Sequence, residues 1–222
     1  MEGARTPFSE ARLALVEQIR LKADELPRAL RDAIFWPGVL EQIGSVPREK
    51  FVHRDDCGMA YHNVPLSIGF EQTISQPLIV AVMTGLLQPR PAHKILEVGT
   101  GSGYQAAVLA RLVASVHSIE IVPQLACCAR HALELCNIEN VTVRVGDGHS
   151  GLPQEAPFDG IIVTAASREL PETLLAQLKP SGRMVLPLGY ENQMLSLVTR
   201  SDGGAGANVR ALLPVRFVPF VS

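Results

Sequence analysis

The sequence predicts an α/β fold: a mainly parallel, doubly wound sheet with an N-terminal helical cap. Residues 95–98 form a short apolar run that leads into a glycine cluster, and residues 104–110 have a helical pattern. From there on, apolar runs of strand length alternate with helical segments, as in βαβ units. Earlier residues lack this alternation. We therefore expect a flexible tail (1–8) and one domain (9–222), divided into a cap (9–70) and an α/β core (71–222).

The cap is predicted to be helical at first and extended later. Apolar residues at roughly helical spacing predict a helix over Ser9–Ala23, which Pro27 interrupts before a further helical turn up to Phe35. Pro37 is well placed to open another short helix. Residues 46–52 and the polar segment 66–77 are expected to be extended or loop.

The core elements follow from apolar runs and their turn residues. Predicted strands cover residues 95–98, 115–119, 141–145, 158–164, 182–187, 193–200 and 209–220. Predicted helices cover residues 78–87, 104–110, 123–135 and 171–178. The glycine-rich loop at 201–208 is expected to be mobile.

The turn after residue 98 is the most informative motif. Gly99, Gly101 and Gly103 carry no Cβ, so a ligand can lie against bare backbone, and the following helix start favours a negative group. A dinucleotide turn would have a third glycine where Tyr104 stands. Glu97 would repel a pyrophosphate but could accept a hydrogen bond from an ammonium. A ligand with an ammonium beside a carboxylate fits both features, and the methionyl end of S-adenosylmethionine is such a ligand. A tight turn that binds nothing is the alternative.

Three further positions fall at the carboxyl ends of predicted strands, where ligands of such sheets bind. Glu120 follows the glycine turn by about the spacing at which a carboxylate grips the ribose hydroxyls. Asp147 could accept from an adenine amino group, with Gly148 letting the ring approach. Their alternatives are a solvated helix-capping acid and an ordinary Asp-Gly turn. For Asp159 we favour a structural role at the start of a strand.

The segment Gln72-Thr-Ile-Ser-Gln-Pro77 is the informative feature outside the turn. Alternation places Thr73 and Ser75 on one side and Ile74 on the other. Ile74 would then anchor the segment while both hydroxyls face the cofactor. Alternatively, Ser75 caps the helix that Pro77 opens. Both can hold at once.

Composition excludes several function classes. The net charge of −2 and the lack of a basic stripe argue against a nucleic-acid partner. No run is long enough to span a membrane, and the N-terminus lacks the apolar core of a secretion signal. Four cysteines are few and badly placed for a disulfide framework, since Cys127 and Cys128 are adjacent, and they indicate thiols in a reducing compartment. Six scattered histidines show no metal-ligand spacing. We expect a cytoplasmic protein, a monomer, without a metal site.

Taken together, the motifs resemble those of the protein-L-isoaspartate O-methyltransferases, the bacterial form especially. The motifs occur in order from about residue 40 to the C-terminus: residues 46–52, 69–77, 95–110, 146–148, 156–166 and 177–189. The Thr-Ile-Ser segment is peculiar to that family, whereas the glycine turn, Glu-x-Gly-x-Gly-x-Gly, is shared by many Rossmann-like methyltransferases. At the position of Glu71 the bacterial pattern often has glycine.

The resemblance implies a fold, a cofactor and a set of site residues. It implies a Rossmann-like S-adenosylmethionine-dependent methyltransferase that methylates the α-carboxyl of L-isoaspartyl residues in damaged proteins and peptides and releases S-adenosylhomocysteine. Ser75 matches the active-site serine, and Gln72, Thr73 and Ile74 are expected to bind substrate. The expected cofactor contacts are Glu97, Gly99, Thr100, Gly101, Ser102, Gly103, Glu120, Asp147 and Gly148.

Other functions stay open at this point. A nicotinamide-dependent oxidoreductase would use the same architecture, but Tyr104 and Glu97 speak against it. A methyltransferase for another carboxylate or small molecule is a second alternative. A protein that binds the cofactor without turnover is a third.

Overall fold

The computed structural model describes residues 8–203 and 206–220. Most of the expected tail (residues 1–7) and part of the expected mobile loop (204–205) lie outside the described residues. The helices are α1 (Ser9–Ala23), α2 (Arg28–Ile34), α3 (Val39–Ser45), α4 (Pro77–Leu86), α5 (Tyr104–Ala110), α6 (Pro123–Leu135) and α7 (Glu172–Ala176). The strands are β1 (Leu66–Gly69), β2 (Gln72–Ile74), β3 (Lys94–Val98), β4 (Ser115–Glu120), β5 (Val141–Val145), β6 (Phe158–Val163), β7 (Leu178–Leu188), β8 (Met194–Arg200) and β9 (Ala207–Pro214).

Seven strands form the central sheet, in the order β5-β4-β3-β6-β7-β8-β9. The pairings from β5 through β7 are parallel, and β8 and β9 are added antiparallel. This confirms the predicted mainly parallel α/β sheet. The chain runs outward from β3 to β5 and then returns to place β6 on the other side of β3. The order therefore reverses at β3, where open α/β sheets bind ligands beyond the strand ends.

The two faces of the sheet are covered unequally. Ile95, Val116 and Ile162 belong to a large buried cluster that also includes residues of α1 to α6. Leu96 and Ile161, one residue along their strands, belong to a smaller cluster on the opposite face. That smaller cluster is closed by α7 and neighbouring loops. β3 is buried on both faces, and after Lys94 its sequence is apolar except for Glu97.

The segment before α4 differs from the prediction. Where a polar loop was expected, β1 and β2 form an antiparallel hairpin, with Leu66 opposite Ile74. Its tip has positive φ at Gly69, Phe70 and Glu71. Two of these residues are not glycine, so no usual hairpin sequence marks the turn. At the C-terminus, β9 ends at Pro214, and the expected strand to 220 continues as an extended segment bridged at Ala166 and Pro219.

The cap packs on the first helices of the core. Helices α2 and α3 lie against α4, and α3 also contacts α5. Cap residues such as Leu15, Ile19 and Ile34 share one buried cluster with α4 and α5. The division into cap and core stays a prediction, since this shared core shows no boundary between them.

The close approach of α4 to α2 at Gly85 predicts a stability effect. A Cβ at Gly85 in α4 would lie 1.8 Å from the carbonyl oxygen of Ala33 in α2. We expect Gly85→Ala to destabilise the protein by about 1–3 kcal/mol through overpacking, although alanine favours helix. Thermal unfolding should show a lower midpoint. Gly58→Ala is the control, because its Cβ would meet nothing within 4 Å, and an equal effect of both changes would contradict the prediction.

Candidate functional site

A cleft with an empty volume of about 860 Å³ opens at the carboxyl ends of the central strands. The glycine turn after β3, Glu120 at the end of β4, Gly148 after β5 and Thr164 after β6 all line it. The hairpin segment Gln72-Thr-Ile-Ser75 lines another side, and residues 218–220 complete the wall. The fold thus brings the two predicted motifs, the glycine turn and the Thr-Ile-Ser segment, to one site.

The glycine turn is held by backbone conformation and packing. Gly99, Gly101 and Gly103 all have positive φ, of +92°, +53° and +88°, a region that glycine adopts without strain. A Cβ at Gly99 would lie 2.4 Å from the Thr164 hydroxyl oxygen, and one at Gly103 would lie 3.1 Å from Ala129 Cβ. Gly99, Thr100, Gly101 and Ser102 line the cleft, whereas Gly103 lies behind it.

Most backbone N–H groups of the turn already donate to acceptors within the protein, so fewer are free for a ligand than the sequence predicts. The N–H groups of Gly99 and Thr100 donate to the carbonyl oxygen of Ile119, and Gly103 N–H donates to Thr100. Gly101 N–H donates to Glu120 Oε2 at 2.7 Å. The cradle is therefore built from bare backbone around Gly99 to Ser102, with Glu120 locked onto it.

Glu120 joins the turn to the start of the next helix. Its Oε1 accepts from Val122 N–H at 3.0 Å, one residue before α6. The side chain is nearly buried and lines the cleft. Glu120 therefore bonds to the backbone at the start of α6, but it is not the solvated capping acid considered as the alternative, because it is nearly buried. Its contact with ribose hydroxyls stays a prediction.

Glu97 lies beneath the turn, behind the cleft wall. It is fully buried, and its Oε2 accepts a short hydrogen bond from the Ser118 hydroxyl. Ser118 Oγ is itself 2.5 Å from Thr100 Oγ1. Oε1 has no hydrogen-bond partner among the described residues. Burial raises the pKa of Glu97 to about 8, the Glu120 charge adds to the rise, and the Ser118 hydrogen bond opposes it.

This buried acid predicts how stability depends on pH. Between the ordinary value of 4.5 and about 8, folded Glu97 keeps a proton that the unfolded chain has lost. The free energy of unfolding should therefore fall as pH rises through this range. In Glu97→Gln this contribution should disappear, as measured by urea unfolding at several pH values. The control is Glu134→Gln on the exposed face of α6, and parallel curves for wild type and Glu97→Gln would contradict the assignment.

Asp147 and Gly148 differ in position relative to the cleft: only Gly148 lines it. Asp147 Oδ1 accepts from both His149 N–H and His149 Nδ1 at 2.9 Å, and the backbone hydrogen bond is the main cause of its lowered pKa. Asp147 is exposed and is not among the residues that line the cleft; its side chain caps the short 3-10 helix Gly148–Ser150. Gly148 lies on the wall, where a Cβ would be 2.3 Å from Val98 Cγ1. Adenine recognition by Asp147 stays a prediction.

The Thr-Ile-Ser segment alternates as predicted. Ile74 is buried in the large cluster, Thr73 is exposed and Ser75 is half-buried on the cleft wall. Ser75 does not cap α4: Leu78 N–H donates instead to Asn63 Oδ1 at 3.0 Å. The Ser75 hydroxyl makes no hydrogen bond with any described residue. It is therefore available to a ligand.

A second groove adjoins the cleft. Thr73, Ser75, Thr164 and Val218 line both cavities, so they form the wall between them. The groove continues along Gln76 and residues 214–218. A molecule in the groove would meet a molecule in the cleft across the Ser75 hydroxyl.

Two contacts of this site were not predicted from the sequence. Thr164 donates to the carbonyl oxygens of Val98 and Gly99, and Phe220 stacks on His149 with ring centroids 3.9 Å apart. Their partners lie far away along the chain, so no local pattern marks them. Asp159, in contrast, has the structural role expected: it accepts from Lys94 N–H and Lys179.

Residues 8–203 and 206–220 contain neither a metal-binding cluster nor a membrane-spanning helix. No cluster of His, Cys, Asp and Glu there could hold a metal ion. No helix within these ranges is both long enough and apolar enough to cross a bilayer.

Comparison with known proteins identifies the family. The family described as protein-L-isoaspartate(D-aspartate) O-methyltransferase matches residues 24–222. Protein-L-isoaspartate O-methyltransferase 2 of Syntrophobacter fumaroxidans is 47% identical over 219 residues, which cover 98% of this chain and 88% of that protein. Protein-L-isoaspartate O-methyltransferase 1 of Anaeromyxobacter sp. is 51% identical over 198 residues, with 88% and 93% covered.

Solved structures show the same fold. A protein-L-isoaspartate O-methyltransferase superimposes with a TM-score of 0.80 at 27% identity, covering 95% of this chain and 66% of that one. A Plasmodium falciparum protein crystallised with S-adenosyl-L-homocysteine superimposes with a TM-score of 0.76 at 23% identity, covering 94% and 97%. This chain therefore belongs to the protein-L-isoaspartate(D-aspartate) O-methyltransferase family.

Proposed function

We propose that the chain transfers a methyl group from S-adenosylmethionine to the α-carboxyl of L-isoaspartyl residues in damaged proteins and peptides. The observation that carries the proposal is the Ser75 hydroxyl, which has no partner among the described residues and stands between the cleft and the groove. Family membership supports this cofactor and this substrate class.

The cleft fits the cofactor in charge and shape. Glu120 offers a carboxylate at the edge of the turn, and Gly148 leaves a flat wall beside Phe220. Beneath the turn, Glu97 keeps one buried oxygen without a hydrogen-bond partner in the described chain. An ammonium group that reached this oxygen would supply the missing donor and stabilise the ionised form of Glu97. Thr100, Gly101 and Ser102 would border the same part of the ligand.

Methyl transfer to a carboxylate requires little acid–base catalysis from the protein. S-adenosylmethionine supplies an electrophilic methyl group on a sulfonium. A substrate carboxyl of this kind has a pKa of about 3 to 4, so it is already ionised at neutral pH. No histidine or cysteine lines either cavity among the described residues. The residues need only hold one carboxylate oxygen in line for attack, which at the favourable limit supplies about 7–11 kcal/mol.

Ser75 is the residue best placed to orient this carboxylate. Its hydroxyl can donate to an oxygen that enters from the groove, and Thr73 stands on the same wall. Residues 214–218 form the opposite side of the groove, and exposed Arg216 there offers a positive charge for an anionic peptide. Ile74, buried below, keeps the segment in place.

A matched pair of peptides tests the proposal. An L-isoaspartyl peptide and its normal aspartyl twin are incubated with the protein and methyl-labelled cofactor. We expect label on the isoaspartyl peptide and little on its twin. Equal labelling would indicate a methyltransferase for other carboxylates. Binding of S-adenosylhomocysteine without any labelling would indicate a protein without turnover.

The cellular setting remains part of the proposal. Cys57, Cys127, Cys128 and Cys136 are all free thiols, and Cys127 and Cys128 are exposed. Such thiols favour a reducing compartment, the cytoplasm. The proposal also includes a monomer without nucleic-acid or membrane partners, and the net charge of −2 argues against binding to a phosphate backbone.

A further inference from the structure

Arg48 is a buried cation in the cap with an unusual set of partners. Its guanidinium is fully buried, and no carboxylate in the described part of the chain contacts it. Nη1 donates to the carbonyl oxygen of Ala60 at 2.7 Å. Nη2 donates to the carbonyl oxygens of Val64 at 3.2 Å and Ser75 at 3.0 Å. The planar guanidinium presents its donors in a fixed fork, which here joins the loop of Ala60 and Val64 to the segment of Ser75.

The neighbouring acid does not neutralise this charge. Glu49 is turned to the other side, where it accepts from Arg12 and from the Tyr61 hydroxyl. Burying a charge without an ionic partner costs free energy that a neutral residue would avoid. The carbonyl contacts of Arg48 offset part of that cost, although Nε has no hydrogen-bond partner in the described chain. The Ser75 contact is the one that reaches the site.

The Ser75 carbonyl lies between two other anchors of its segment. On one side, Ile74 pairs with Leu66 in the hairpin. On the other side, Asn63 accepts from Leu78 N–H at the start of α4. Arg48 is the only donor to the Ser75 carbonyl found in the described chain. Since the Ser75 hydroxyl has no hydrogen-bond partner among the described residues, its direction depends on how this backbone is held.

The same guanidinium also contacts the helix that follows the glycine turn. Arg48 Cζ lies 5.6 Å from the ring centroid of Tyr104, within the range of a cation–π contact. Tyr104 begins α5 directly after Gly103 and lines the cleft. Arg48 therefore touches both halves of the site: the segment that carries Ser75 and the helix that follows the turn.

We propose that Arg48 is a positioning residue, which fixes the Ser75 backbone relative to the glycine turn and so aims the Ser75 hydroxyl at the substrate carboxylate. The proposal rests on the proposed function. It assigns Arg48 no contact with cofactor or substrate.

Arg48→Lys tests this directly, because lysine keeps the charge but loses the fork. We expect kcat on an isoaspartyl peptide to fall about 10- to 100-fold, the scale of a misplaced reacting group. The dissociation constant of S-adenosylhomocysteine should change little. Arg200→Lys is the matched control, since Arg200 also donates to two backbone carbonyls, those of Ala176 and Leu178, away from both cavities. It should leave kcat unchanged.

A double-mutant cycle separates positioning from a general structural role. If Arg48 acts through Ser75, Arg48→Lys should have little further effect on kcat in a Ser75→Ala background. If the two losses multiply, Arg48 acts independently of Ser75 and the proposal is overturned. Arg48→Gln is the second variant, because it buries no charge. If neither variant folds with S-adenosylhomocysteine present, Arg48 serves folding, and the proposal is likewise overturned.

Hydrogen exchange gives a readout that does not depend on activity. In Arg48→Lys, amides of the segment from Gln72 to Gln76 should exchange faster, while those of β3 stay protected. Unchanged exchange in that segment would contradict the proposal. A wild-type protein that fails to methylate the isoaspartyl peptide would overturn the proposed function instead, and the exchange result would still decide whether Arg48 holds the segment.

Discussion

Replacing Ser75 by alanine should leave a folded protein that binds S-adenosylhomocysteine but turns over an isoaspartyl peptide about 10 to 100 times more slowly. A hydrogen bond to a charged group is worth about 1.5–3 kcal/mol, and each 1.36 kcal/mol of barrier is tenfold in rate. Folding should be unaffected, because the hydroxyl bonds to no described residue and does not cap α4. Steady-state kinetics measure turnover, and calorimetry with S-adenosylhomocysteine measures cofactor binding.

The matched control is Ser67→Ala on the same hairpin. Ser67 pairs opposite Thr73, but its side chain is exposed and lines neither cavity. It should have near wild-type turnover. If Ser75→Ala also turned over at the wild-type rate, Ser75 would have no part in orienting the carboxylate. A loss of cofactor affinity equal to the loss of turnover would move its role to cofactor binding.

The central sheet was predictable because its signals are local. Each core strand is a short apolar run with a turn after it, and β3 ends directly at the glycine turn. Positive φ at Gly99, Gly101 and Gly103 agrees with the glycines found there. The reason why glycine is required at these positions was only partly predicted. The space beside Gly99 is filled by Thr164, which is 65 residues away along the chain.

The parts that the sequence did not predict depend on distant contacts or unusual backbone. The β1–β2 hairpin was missed because Phe70 and Glu71 occupy positive φ, which non-glycine residues seldom adopt. This conformation also explains why glycine would suit position 71. Glu71 is exposed at the tip and lines neither cavity. Arg48 was missed as well, because it meets Ser75 across 27 residues of chain.

The largest loss of cofactor affinity is expected from Glu120→Gln. If the carboxylate binds both ribose hydroxyls, two charge-assisted hydrogen bonds of about 1.5–3 kcal/mol each are weakened. The amide also places a donor against one of two backbone donors, Gly101 N–H or Val122 N–H. We expect the dissociation constant of S-adenosylhomocysteine to rise at least about 100-fold. Calorimetry measures it.

Asp159→Asn is the control for Glu120→Gln, because it distinguishes a loss of cofactor affinity from a loss of stability. Asp159 also accepts a backbone N–H at 2.9 Å, that of Lys94, but at the opposite end of β3 and outside the cleft. Its replacement should lower the unfolding midpoint and leave cofactor affinity nearly unchanged. Glu120→Gln should lose affinity even where the two variants are equally stable. If both kept wild-type affinity, the Glu120 carboxylate would serve only the turn and the start of α6, and ribose would have to be held by other residues of the cleft.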